Sequence, residues 1–167
     1  ESVQDDRDIK YLMFKNHLIL NNLKKAEAII LPLLYDIDGK RNWEAFQKYL
    51  KLMLAQYASA KTEEDKQEKY LALKRLFDKT DSIPNAEIAR FFADSALEMG
   101  LVKKAYQYLL PHSESRNITG HSELLSLALQ FSYYHGAILH QEKIYASSPN
   151  IDRLTYLLDL LGAFLLM

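Results

Sequence analysis

Cysteine is absent from this 167-residue chain, which excludes a disulfide scaffold, a thiolate metal site and a cysteine nucleophile while leaving the compartment open. Glycine and proline are scarce, at five and four residues. So few turn formers argue against an all-β sandwich, and no glycine-rich loop of a phosphate-binding pattern occurs. Charge of one sign is also missing. The 21 basic residues face 22 acidic ones, and residues 1–60 carry nine basic and eight acidic groups. A nucleic-acid surface needs a basic face, so nucleic acid is not an expected partner. No apolar run approaches the roughly 20 residues needed to span a bilayer, and no signal-peptide pattern opens the chain. Beginning at Glu1 rather than Met, the sequence reads as a piece of a longer protein or as a processed product.

What the chain does contain is helical periodicity. Hydrophobic residues make up 49% and charged residues 26%, a globular balance. Trp43, Phe46, Leu50, Met53 and Tyr57, at steps of three and four, stack one stripe along a helix. The spacing predicts helices over 6–20, 23–35, 42–59, 63–79, 85–99, 101–112, 121–135, 137–147 and 150–165. Asn21-Asn22, Gly100 and Gly136 fall between periodic segments, where a left-handed C-cap suits Gly or Asn. Thr62 before Glu63, Glu64 and Asp65 reads as an N-cap followed by acids that complement the helix dipole. Asp38-Gly39 reads as a helix-to-helix turn. Pro111 should end its helix, and Pro32 should kink or shorten helix 23–35.

Helix starts near 6, 42, 85, 121 and 150 lie about 36, 43, 36 and 29 residues apart. Such spacing marks a helix-turn-helix repeat array, in which stacked neighbours supply the core that no unit has alone. A single compact bundle is the competing architecture. The joints themselves look alike: Asn21-Asn22-Leu23-Lys24-Lys25-Ala26 matches Gly100-Leu101-Val102-Lys103-Lys104-Ala105 in type, with Gly136 and Ile138 as a weaker third copy.

A Gly, a large apolar residue two later and an Ala five later resembles the inter-helix turn of the tetratricopeptide repeat (TPR). Aligned on that joint, Ala89, Phe92, Ala93, Ala96, Gly100, Val102, Ala105 and Leu109 occupy the family's signature positions. Elsewhere the pattern thins: Phe14 stands where the family has a small residue, and Gln141 where it has Ala. The resemblance implies an all-α, right-handed superhelical array of antiparallel helix pairs. One repeat domain would cover 1–167, with units at 6–38, 42–82, 85–117 and 121–148 and one extra helix at 150–165.

Catalytic chemistry has little to stand on. His17, His112, His121, His135 and His140 form no H-E-x-x-H or other close ligand triplet, so neither metal nor cofactor is expected. The resemblance implies instead a non-enzymatic scaffold that takes a protein or peptide segment in a groove lined by first helices. On the joint alignment those positions are Tyr11, Lys15, Arg90, Asp94, Gln130, Tyr133 and Tyr134, aromatic and charged types suited to a protein partner. The lysine and asparagine clamp with which chaperone-type members hold a terminal carboxylate is missing. An alternative is a structural spacer within a larger bacterial envelope or exopolysaccharide-secretion protein. Finally, helix 150–165 spreads apolar residues widely around its circumference, which predicts an interface through Leu157, Leu160 and Phe164 and self-association there.

Overall fold

A computed structural model describes residues 3–113 and 118–147, together with single positions at 155, 158, 161, 162 and 165. The described residues hold eight α-helices and no strand: α1 (Val3–Ile19), α2 (Leu23–Ile30), α3 (Trp43–Ala58), α4 (Glu63–Lys79), α5 (Ala86–Glu98), α6 (Val102–Leu109), α7 (Ile118–Gln130) and α8 (Tyr134–Ser147). Two compact units divide them, Glu1–Thr80 with α1–α4 and Asp81–Met167 with α5–α8. In the first, α1 packs on α2, α2 on α3 and α3 on α4; in the second, α5 packs on α6, α6 on α7 and α7 on α8.

Local chemistry sets where the helices begin. The side chains of Asn42, Thr62 and Asn85 accept hydrogen bonds from the amides of Ala45, Asp65 and Ile88, at 3.3, 3.1 and 2.9 Å. Each cap satisfies an amide that the first turn leaves without a helical partner, and acids follow all three.

Three joints share one hydrogen-bond geometry. Asn21, Gly100 and Ser132 take left-handed φ values of 55°, 71° and 60°. The following amides, of Asn22, Leu101 and Tyr133, donate to the carbonyls of His17, Ala96 and Ala128, each at 2.8 Å. This is the Schellman arrangement, which satisfies the last carbonyls of the preceding helix. Five residues past each left-handed residue stand Ala26, Ala105 and Ala137, all with no exposed surface. A larger side chain there would push the two helices of the pair apart.

The third of these joints corrects the sequence expectation. Gly136 does not make the turn; it lies inside α8, four residues after Ser132, and it is buried. Its role is steric. A Cβ built on Gly136 would collide with the Tyr133 ring and stand 2.9 Å from the Tyr106 hydroxyl. With the joint moved to Ser132, Ala137 rather than Gln141 fills the small position, and the helices run 118–130 and 134–147 instead of 121–135 and 137–147.

The two prolines act alike. Both α2 and α6 stop after eight residues and pass into 3₁₀ turns, Leu31–Leu33 and Leu110–His112, with Pro32 and Pro111 in them. Proline has no N–H to donate to the carbonyl four residues back, so it ends the α-helix at little cost in this position. After Pro32 the chain makes a small loop, where Tyr35 and Arg41 form an isolated antiparallel bridge and Gly39 turns at φ 73°. The Arg41 guanidinium lies 5.1 Å from the Trp43 ring centroid and 5.2 Å from that of Phe46, pinning this loop to the start of α3.

Each unit has its own core. Phe46, Leu50, Leu52, Leu73 and Phe77 fill the first, with Ala26 and Ile30 from α2. Phe92, Leu109, Leu124 and a run of alanines (Ala89, Ala93, Ala96, Ala105, Ala128, Ala137) fill the second. So many alanines let the helices of the second unit approach closely. The interface expected at Leu157, Leu160 and Phe164 lies outside the described residues.

Candidate functional site

Counting back from the left-handed residue of each joint puts equivalent first-helix positions in register. Ten residues before Asn21 and Gly100 stand Tyr11 and Arg90; six before stand Lys15 and Asp94. The same offsets from Ser132 select Ser122 and Ser126 on α7, both exposed or nearly so. Gln130 closes α7, exposed, with its amide nitrogen 3.5 Å from the Ser126 hydroxyl. Tyr133 and Tyr134 are therefore not first-helix residues. Tyr133 is in the joint and Tyr134 opens α8, because the turn falls at Ser132 and not at Gly136.

Within the second unit, Arg90 on α5 hydrogen-bonds Glu123 on α7, and its guanidinium is 3.8 Å from Asp94. The bond to Glu123 raises the Arg90 pKa further, against the opposing effect of burial, so the guanidinium stays charged. Arg90, Asp94, Glu123 and Ser126 thus make a polar strip that runs from one first helix onto the next. In the first unit Lys15 is exposed while Tyr11 is only 7% exposed. The Asn42 side-chain amide donates to the Tyr11 hydroxyl at 3.0 Å, and the Lys48 ammonium sits 4.2 Å above its ring. Burial pushes the Tyr11 phenol above its ordinary pKa.

A second cluster has no counterpart in the sequence reading. His140 on α8 is 5% exposed; its Nε2 lies 3.0 Å from the Tyr106 hydroxyl of α6 and its Nδ1 lies 3.3 Å from Nδ1 of His121 on α7. Burial, and next the neighbouring His121, lower the His140 pKa to about 4. The imidazole is neutral at pH 7 and ties three helices together. Tyr106 is in turn met edge-on by Phe131 and Tyr133, whose rings stack on each other 5.8 Å apart and 12° from parallel. His121 and His140 lie 19 residues apart, and only the pairing of α7 with α8 brings them together. The described residues contain no group of three or more His, Asp or Glu arranged to hold a metal ion.

No protein-family model matches the sequence, and no curated protein matches it. Among solved structures, a thermophilic TPR protein of Thermus thermophilus superposes with a TM-score of 0.51, over 98% of this chain and 84% of that one, at 16% sequence identity. The fold is TPR-like. That likeness extends over far more of the chain than the signature residues at 84–117 do. The TPR-like reading also accounts for the three Schellman joints, each followed by a buried alanine at the same offset. No described helix is long and apolar enough to cross a membrane.

Proposed function

We propose that this chain is a non-enzymatic interaction module whose first helices take up a segment of a partner protein. TPR-like folds generally mediate protein–protein interaction by presenting stacked helix faces. The observation that carries the reading is the bridge from Arg90 to Glu123. It places side chains of α5 and α7 beside each other as one surface, with Asp94, Ser126 and Gln130 around it. Mixed charges and hydroxyls on that strip suit the backbone and polar side chains of a peptide segment. In the first unit, the exposed Lys15 occupies the same first-helix register, while Tyr11 beside it is buried.

Affinity capture with the purified chain tests this against a charge-reversed form, Arg90→Glu with Asp94→Arg. The parent should retain a partner that the double variant loses, in captures run well below the melting temperature of both proteins, since Arg90→Glu also gives up the bond to Glu123. Equal capture by both would overturn the assignment of the strip. Capture of nothing beyond copies or flanking parts of its own protein would favour the spacer reading, as in an envelope or exopolysaccharide-secretion assembly.

A further inference from the structure

On the opposite helix of the pair, α6 and the α7–α8 joint border an open cavity of about 440 Å³ that the first-helix strip does not use. Tyr106, Leu110, Phe131 and Tyr133 line it together with the polar Gln107 and Ser132, and Lys103 is the charged residue in the lining. The volume lies in the range of ligand sites, roughly 300–1,000 Å³, and three aromatic rings and one aliphatic side chain supply the apolar part of the lining. Tyr133 at 41% and Leu110 at 40% exposure leave solvent-facing apolar surface at the mouth. Lys103 makes no ion pair among the described residues. In the first unit the residue equivalent to Tyr106 is Glu27, so this aromatic lining belongs to the second unit alone.

We propose that this cavity is a second docking site, for a protein segment that presents an aromatic side chain next to a carboxylate. The stacked Phe131 and Tyr133 rings and the edge of Tyr106 offer an inserted ring both a face and edges to pack on. The Lys103 ammonium at the border supplies the complement to an acidic neighbour. A protein segment, rather than a free aromatic acid, fits the wide mouth. Sites for small ligands bury most of the molecule, whereas here one side of the occupant stays in water. Gly136 keeps the cavity wall in place, because a side chain at that position would displace the Tyr133 ring.

The test is amide and methyl NMR of the full chain titrated with four probes: the blocked peptides Ala-Glu-Phe-Glu-Ala, Ala-Lys-Phe-Lys-Ala and Ala-Glu-Ala-Glu-Ala, and free N-acetylphenylalanine. The acidic aromatic peptide should shift the Ser132 amide and the Leu110 methyls saturably, and the other three should bind more weakly. Lys103→Gln, at an exposed position, should weaken that peptide about two- to five-fold, the size of a partly exposed ion pair. Phe131→Leu should weaken it further by removing a ring face, while Arg90→Glu on the first-helix strip should leave it unchanged. That last control separates this site from the proposed first-helix surface. Equal binding of the lysine-flanked peptide, shifts confined to other residues, no saturable shift, or N-acetylphenylalanine binding as tightly as the peptide would each overturn the proposal.

Discussion

Acidification from pH 7.5 to 4.5 should loosen the second unit through one imidazole. His140 titrates at about 4 in the folded chain against an ordinary 6.5, so between those values the unfolded chain holds a proton that the folded chain rejects. Stability from this group is therefore complete above about pH 6.5, falls as the pH drops through the window, and is lost by about pH 4. At about 1.4 kcal/mol per pKa unit the whole effect is at most about 3.5 kcal/mol, of which about 2.5 kcal/mol is expressed by pH 4.5. For a chain of this size that corresponds to about 5–10 °C in Tm. The groups facing His140 are His121 from α7 and the Tyr106 hydroxyl from α6, and neither is an anion that could compensate the new charge. The assay is thermal unfolding by circular dichroism across this pH range, for the parent and for His140→Gln. Glutamine keeps hydrogen-bonding capacity without titrating, so carboxylate effects common to both proteins cancel in the difference. The parent should lose several degrees more than the variant between pH 6.5 and 4.5. Parallel curves would show that His140 does not resist protonation in the folded chain.

Four substitutions at and beside the joints have expected signs. Ala105→Leu should cost about 1–3 kcal/mol in denaturant unfolding, because the residue has no exposed surface and a neighbouring helix occupies the space. Gly100→Val should destabilise and Ser132→Gly should stabilise, each by about 1 kcal/mol, since both positions take left-handed φ; opposite signs in thermal melts would contradict the joint geometry. Gly136→Ala should fail to give the gain of about 1 kcal/mol usual inside a helix, and should instead lower stability by crowding Tyr133 and Tyr106, as denaturant unfolding would show.

The helix pairs were legible in the sequence because their signals are local. Apolar spacing, the cap at Thr62, and the Asn21 and Gly100 joints each depend on a few adjacent residues. Ser132 escaped for a physical reason: serine rarely takes a left-handed φ, and Phe131, Tyr133 and Tyr134 carry the apolar pattern straight through the turn. Gly136 then looked like punctuation, although its glycine answers to a ring packed against it. A joint at Gly136 would leave Tyr133 and Tyr134 on α7, whereas the turn at Ser132 puts Tyr133 in the joint and Tyr134 at the start of α8. The misplaced joint also hid the cavity, whose walls come from α6 and from the joint itself. Tyr11 was legible as a first-helix residue but not as a buried one, since the cover that Asn42 and Lys48 provide comes from a different helix pair. His121 and His140 show the same limit, because no local pattern records that α7 and α8 face each other there.

We propose that the first helices of the second unit form the surface that receives a partner protein. Amide hydrogen exchange of the chain, alone and bound to the protein it captures, tests that claim directly. Binding should slow exchange within 86–98 and 118–130, and the Arg90→Glu, Asp94→Arg variant should show no such change. Protection confined to other helices, or equal protection in the variant, would contradict the account.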